Sequence, residues 1–361
     1  MEKIRHKLLK KIISLFLIIA MGTVSVQSLS FNSEYCKAAA YVQKHGRLKV
    51  KGTNIADKNG KTVRLKGVSS HGINWDVGYP YITEKTFKTL RDKWKVNTVR
   101  LAMYTQEYNG YCVTDAASRK KLLDTIDTGV KAAKKLGLYV IIDWHVLNDR
   151  TPLKYQEKAK KFFAQMSKKY ASYQNVLYEI CNEPNGETTW SDIKKYAKKV
   201  IPVIRKNDKN GIIIVGTPNW SQDVDIAAKS PIKGYKNIMY SIHFYAATHG
   251  DSYRDKLKTA HKNGLPVICT EFGTCDSSGN GKYDFSSANK WIKLMNSYNM
   301  GYVCWSLSNK PESASLLKAS CKKTSGFTGN DLSGQGKWLV GNIRNNNINS
   351  CLQLFTELTQ K

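Results

Sequence analysis

Acidic residues are scarce in this chain: 28 Asp and Glu stand against 57 Lys and Arg in 361 residues, a formal charge of +29. That excess leaves nucleic acid, an anionic surface or a solvated basic exterior all open. With 41% hydrophobic and 24% charged residues, the chain can bury a core, which excludes a disordered polycation. Cysteine is sparse. Eight in this length are too few for a disulfide scaffold, and no C-x-x-C spacing suggests zinc. Beyond the first forty residues no apolar run approaches the length of a spanning helix. No low-complexity linker interrupts the chain between Tyr41 and Arg344, so one domain is expected there.

The N-terminus is a different kind of segment. Lys3, Arg5, Lys7, Lys10 and Lys11 precede an apolar run from Ile12 to Val26, and Lys37-Ala38-Ala39-Ala40 follows. Basic start, apolar middle and small residues at the cut are the three parts of a secretory signal. Residues 1–40 are therefore expected to be removed, giving a secreted protein that begins near Tyr41, with an uncleaved anchor as the alternative. Seven cysteines then remain, an odd number that forbids complete pairing, so free thiols are expected. The catalytic domain is assigned to 41–345 and a short tail to 346–361.

Short apolar runs alternate with amphipathic stretches. The predicted strands are Arg64–His71, Thr98–Tyr104, Leu138–His145, Val176–Glu183, Gly211–Thr217, Ile238–Tyr245, Pro266–Glu271 and Gly301–Ser306, mostly rich in Val, Ile and Tyr as buried parallel strands are. Between them Thr83 caps a helix facing Phe87, Leu90 and Trp94 inward. Thr114 opens another, carrying Leu122, Leu123, Ile126 and Val130 and ending at Gly137. Phe162, Phe163 and Met166 stripe a third, Ile193, Tyr196 and Val200 a fourth that Pro202 should kink, and Trp291, Ile292 and Met295 a later one. Eight such units predict an α/β fold, a single (β/α)8 TIM barrel. A doubly wound open sheet is the runner-up, but no G-x-G-x-x-G follows the first strand.

In such a barrel, chemistry gathers where strands end. The strand ends carry Arg100, Asp143-Trp144-His145, Asn182-Glu183-Pro184, His243-Phe244-Tyr245, Glu271-Phe272-Gly273 and Trp305-Ser306-Leu307. Glu183 and Glu271 come from opposite sides of the mouth and can share one cleft. A carboxyl pair is what glycosidic cleavage requires, and mutual repulsion should raise one pKa while the other stays low. An inward Arg100 would keep its partner ionised. His243 and Tyr245 share a strand face and His145 ends a strand at their level, so all three are assigned to the cleft; Asp143 lies one layer deeper and is assigned to structure.

Several motifs in order resemble glycoside hydrolase family 5 (cellulase family A), in its group of bacterial endo-β-1,4-glucanases. They are Gly67-Val68-Ser69-Ser70-His71-Gly72, Val99-Arg100, Asp143-Trp144-His145, Glu179-Ile180-Cys181-Asn182-Glu183-Pro184, His243-Phe244-Tyr245, Thr270-Glu271-Phe272-Gly273 and Trp305-Ser306-Leu307-Ser308-Asn309-Lys310, spanning Leu48 to Asn342. The resemblance implies retention, with Glu183 as acid/base and Glu271 as nucleophile. It places Trp75 and Trp305 on the non-reducing side of the cut and Trp220 on the leaving-group side. His71, Tyr104, Lys310 and Glu312 match positions that grip sugar hydroxyls. Physical reasoning adds that Asn182 can donate to the 2-hydroxyl, that Tyr245 can donate to Glu271, and that Arg100 supplies counter-charge. A retaining pair should stand about 5–5.5 Å apart.

Trp94, Trp190, Trp291 and Trp338 lie on or beside helices and are assigned to packing, as are Cys181, Cys269 and Cys304. No carbohydrate-binding module is expected after the barrel. No cofactor or metal is expected. The expected partner of a monomer is β-1,4-glucan, with no nucleic acid, no membrane after signal cleavage, and weak attraction to anionic cell wall. Competing activities are β-mannanase or mixed-linkage glucanase, and, in another class, a non-catalytic polysaccharide-binding barrel. The first forty residues hold six Lys or Arg and two Glu, so +25 of the +29 stays with the mature chain, much of it in runs such as Lys131–Lys135, Lys158–Lys169 and Lys194–Lys209.

Overall fold

The computed structural model describes residues 41–345; the predicted signal and tail lie outside the described residues. Strands β1 (Lys49–Lys51) and β2 (Asn54–Ala56) form an antiparallel hairpin. Eight parallel strands then close a barrel: β3 (Lys66–Ser70), β4 (Thr98–Tyr104), β5 (Tyr139–His145), β6 (Val176–Glu179), β7 (Ile213–Val215), β8 (Ile238–Tyr245), β9 (Val267–Gly273) and β10 (Tyr302–Leu307). β10 returns to pair with β3, which excludes the open sheet.

Alternation along each strand divides two cores. On β5, Val140, Ile142 and Trp144 face the helices, while Tyr139 and Ile141 face inward. The inward set continues with Leu177, Ile214, Met239, Ile268 and Val303 and meets Leu48 and Ile55 of the hairpin segment. The hairpin thus plugs the end where strands begin, and the polar strand ends face the other way.

Helices fall where the apolar stripes placed them. Ala116–Leu136 is capped by Asp115, whose side chain accepts from the Ser118 N–H, rather than by Thr114; carboxylate oxygen at that position also faces the helix's positive end. Gly137 closes it at φ +68°, a left-handed conformation that suits glycine. Helix Trp190–Asn207 runs through Pro202, and its Thr189–Asp192 capping box secures the start. A last helix covers 334–345 and enters the Asn-rich stretch taken as the domain end. The six described cysteines are free and buried.

Two irregularities aim side chains. Between β8 and β9 the register passes from Ser241↔Ile268 to His243↔Glu271, so β9 carries one extra residue. Such a bulge turns adjacent residues to one face, and Thr270 and Glu271 both make their contacts inside the barrel. A second shift falls between Cys304 and Leu307 on β10, the stretch that carries Trp305. Strict alternation could not have given either.

Replacing Ile214, fully buried between barrel floor and hairpin, with Ala is expected to cost about 2–5 kcal/mol in denaturant unfolding. The same change at exposed Val113 should stay within about 0.5 kcal/mol.

Candidate active site

Arg100 on β4 stands wholly buried inside the barrel. A guanidinium there is tolerable only if carboxylates surround it. Its Nε donates to Glu179 Oε2 at 2.7 Å, Nη1 to Glu271 Oε2 at 3.1 Å and Nη2 to Asn182 Oδ1 at 2.6 Å, while Nη2 also lies 3.0 Å from Asp143 Oδ2. One cation therefore serves three carboxyls from three strands. Burial pushes Asp143 up to about 7, opposed by Arg100.

The two expected carboxyls meet above it. Oxygens of Glu183 and Glu271, with a ring nitrogen of His243, all lie within 4.8 Å of one another. β6 ends at Glu179, four residues short of Glu183, because the chain breaks from regular pairing there. Glu183 is held by its N–H on Val146 O at 3.1 Å, after Asn182 N–H reaches Trp144 O at 3.2 Å. Glu183 Oε1 lies 2.8 Å from His243 Nδ1. Glu271 Oε1 accepts from the Tyr245 hydroxyl at 2.9 Å. Burial pushes Glu183 up to about 8, with Asp143 and Glu179 adding to the rise and Arg100 opposing it. The expectation that Glu271 stays low is corrected: burial and the charge of Glu183 raise it too, against His243 and Arg100. Since part of that rise is repulsion from Glu183, it lapses when Glu183 is protonated.

Asp143 and His145 share the inward face of β5, and Asp143 Oδ2 holds His145 Nδ1 at 2.6 Å. His145 Nε2 lies 3.2 Å from Asn182 Nδ2, which also donates to Val146 O at 3.2 Å. Both amide hydrogens of Asn182 thus have protein acceptors, so donation to a sugar hydroxyl requires it to exchange one. The Glu183–His243–Glu271 group is the one set of three His or carboxyl side chains close enough to share a cation among the described residues. The same atoms already form the His243–Glu183 hydrogen bond and the Arg100–Glu271 ion pair, so the cluster reads as an acid–base set.

Aromatic side chains flank the pair on both sides. Trp305 lies 5.4 Å from His71 and stacks with His145 at 5.4 Å, and Trp75 meets Tyr104 edge-on at 4.7 Å. Lys310 Nζ bonds Glu312 Oε2 at 2.5 Å, and Glu312 Oε1 lies 3.9 Å from His71 Nε2. The loop charge of Glu312 is thereby drawn into this wall, with only 10% of its side chain exposed. Opposite, Trp220 is 42% exposed, and its N–H bonds Pro184 O at 3.0 Å, tying it to the Asn-Glu-Pro loop. It lines a cleft of about 430 Å³ with Glu183, Tyr245, Gln222, His249 and Tyr253. A larger cavity, about 660 Å³, opens around Arg47, Asn210 and Asn263 at the hairpin end and holds none of these groups.

Every expected site residue is therefore at this mouth. Sequence reasoning assigned no role to Glu179, Thr270 or Tyr108. Glu179 had a signal, a charge within a buried apolar run; Thr270, a small hydroxyl residue beside Glu271, had none. Tyr108, 66% exposed, stands 6.3 Å from Trp75 and extends that wall.

Comparison with known proteins gives the same picture. The family described as Cellulase (glycosyl hydrolase family 5) matches residues 56–311. Endoglucanase A of Butyrivibrio fibrisolvens is 47% identical over 301 residues, covering 83% of this chain and 69% of that protein. An endoglucanase of Clostridium saccharobutylicum is 45% identical over 342 residues, covering 94% and 74% respectively. Among solved structures, the catalytic domain of Thermobifida fusca endoglucanase Cel5A superposes with TM-score 0.78 at 37% identity, over 84% of this chain and 99% of that one. A variant of that domain has been solved with cellotetraose.

Arg100→Met leaves buried Asp143, Glu179 and Glu271 without their cation, and unfolding measurements at pH 7 should show a loss of about 3–5 kcal/mol. Uncompensated carboxyls have raised folded-state pKa values, so the deficit is greatest at high pH and shrinks as pH falls and they protonate.

Proposed function

The chain belongs to glycosyl hydrolase family 5, the cellulase family, and is an endoglucanase; we propose that it cleaves internal β-1,4-glucosidic bonds by double displacement with retention. The observation that carries this reading is the approach of Glu183 and Glu271 oxygens within 4.8 Å. A retaining pair stands about 5–5.5 Å apart, and an inverting pair about 6.5–9.5 Å, to admit water between them.

The carboxyl with the higher pKa is the natural acid. Protonated Glu183 gives its proton to the glycosidic oxygen while Glu271 attacks the anomeric carbon, so that the glycosyl–enzyme bond forms as the C–O bond breaks. Glu183, now a carboxylate, takes a proton from water, whose oxygen attacks the same carbon and releases Glu271. Arg100 and Tyr245 hold the two oxygens of Glu271 and fix its orientation. Trp305 and Trp75 offer apolar faces to sugar rings on one side of the cut, and Trp220 on the other. His71, Tyr104, Lys310 and Glu312 supply hydroxyl contacts beside the first wall. His145 and Asn182 lie near the reacting sugar.

Export belongs to the same proposal, supported by the order of charge, apolar run and small residues over 1–40. Exposed lysines of helices Gln156–Tyr170 and Trp190–Asn207, such as Lys168, Lys169, Lys198 and Lys199, support weak attraction to anionic wall polymers.

Reducing-sugar assays on soluble cellulose, mannan, xylan and mixed-linkage glucan should show strongest release from cellulose. Loss of about a hundred- to ten-thousandfold is expected in Glu183→Gln, and no turnover in Glu271→Gln; activity surviving the latter on every substrate sinks the mechanism. Product observed first by NMR should be the β-anomer. kcat/KM should fall as pH rises through about 8, where Glu183 loses its proton. N-terminal sequencing of protein from culture medium should begin near Tyr41, and retention on purified cell wall should vanish with added salt.

A further inference from the structure

Four buried side chains stand in file beneath the cleft. Glu183 Oε1 lies 2.8 Å from His243 Nδ1, His243 Nε2 lies 2.9 Å from Thr270 Oγ1, and Thr270 Oγ1 donates to Glu179 Oε1 at 2.5 Å. His243 Nε2 is 3.9 Å from Glu179, beyond hydrogen-bond reach, so the threonine hydroxyl is the link. Thr270 shares the inward face of β9 with Ile268, and the bulge turns Glu271 inward beside it, so the file and the nucleophile stand side by side.

A hydroxyl has one hydrogen and two lone pairs. Ser241 Oγ also lies against Thr270 Oγ1; with the threonine's one hydrogen used along the file, Ser241 must be the donor there and fills one lone pair. When Glu179 is ionised, Thr270 gives it the hydrogen, and its last lone pair accepts Nε2–H of His243. Neutral His243 then has a bare Nδ1, which accepts the proton carried on Glu183 Oε1. If Glu179 is protonated instead, every donor in the file reverses and Nδ1–H points at Glu183.

We propose that Thr270 and Glu179 are positioning residues that set the tautomer of His243 and thereby hold the proton on Glu183, with Glu179 the far acceptor of a buried relay. The shift along it balances. Glu183 Oε1–H passes to Nδ1, Nε2–H passes to Thr270 Oγ1, and the threonine's own hydrogen passes to Glu179 Oε1. One proton leaves Glu183 and one arrives at Glu179, with no change in total charge.

The surroundings suit such an exchange. Burial raises Glu179 as well as Glu183, so both compete for one proton, and burial pushes His243 down to about 4, keeping it neutral. The other charged or titratable groups facing the file are Arg100 and Tyr104 on β4, Asp143 and His145 on β5, Tyr245 on β8 and Glu271 on β9. Arg100 favours ionised Glu179 and Asp143 opposes it.

The proposal rests on Glu183 being the acid, and its test separates the two. kcat/KM is followed against pH on neutral soluble β-glucan for the wild type, Glu179→Gln, Thr270→Val, Thr270→Ser and Glu183→Gln. Removing the charge of Glu179, or the hydroxyl that links it, favours ionised Glu183. The alkaline limb should therefore move down by about one pH unit in Glu179→Gln and Thr270→Val, and return in Thr270→Ser. With dinitrophenyl cellobioside, whose leaving group needs no proton, Thr270→Val should match the wild type. An alkaline limb that survives in Glu183→Gln overturns both the acid assignment and this proposal. A limb lost in Glu183→Gln but unmoved in Thr270→Val and Glu179→Gln overturns this proposal alone. Nitrogen-15 NMR of the wild-type His243 ring reads the tautomer without any variant: Nε2–H with bare Nδ1 below the alkaline limb is expected, and Nδ1–H there overturns it.

Discussion

The site is organised around one buried cation. Arg100 has no water to solvate it, so its five N–H donors must find acceptors within the barrel, and Asp143, Glu179, Glu271, Asn182 and Ser69 arrive from the surrounding strands to meet them. Each of those contacts fixes a neighbour that matters. Asp143 in turn orients His145, Asn182 is the residue before Glu183, and Glu271 faces Glu183 across the cleft. The arginine thereby couples the positions of groups from four other strands and the Asn-Glu-Pro loop, and it does so beneath the substrate surface rather than in it.

Two carboxyls acquire different characters from that arrangement. Glu271 touches the guanidinium directly and accepts from Tyr245, both of which favour its anion. Glu183 touches neither and instead faces a neutral imidazole, with buried carboxyls behind it. Desolvation acts on both, but only one has a cation at contact distance. That asymmetry is what lets two chemically identical side chains divide acid and nucleophilic work.

The outside of the molecule answers to different physics. Lysines coat the outer helices, with the ammonium groups of several lying over aromatic rings, as Lys134 Nζ does over Tyr173 at 3.8 Å. Their charge is solvated and separate from the strand ends, so the basic balance of the whole chain carries no information about the reaction. The barrel wall insulates one from the other: inward residues form a hairpin-plugged floor, and outward ones the helix-facing core.

The sequence by itself determined the barrel, since a strand with two buried faces must be apolar nearly throughout and a helix covering it must be apolar on one stripe. It also singled out the carboxyls, because polar groups interrupting such strands at their ends have nowhere to go but the mouth. Tertiary structure alone decided the rest. The β9 bulge, which periodicity cannot announce, set Glu271 beside Thr270 on one face, and closure of the barrel brought Glu179 of one strand against Thr270 of another. The helix start at Asp115 was set by which of two adjacent side chains could reach the Ser118 N–H. The shared rise of Glu183 and Glu271 likewise came from burial depth and neighbouring charge, quantities that exist only once distant parts of the chain have met.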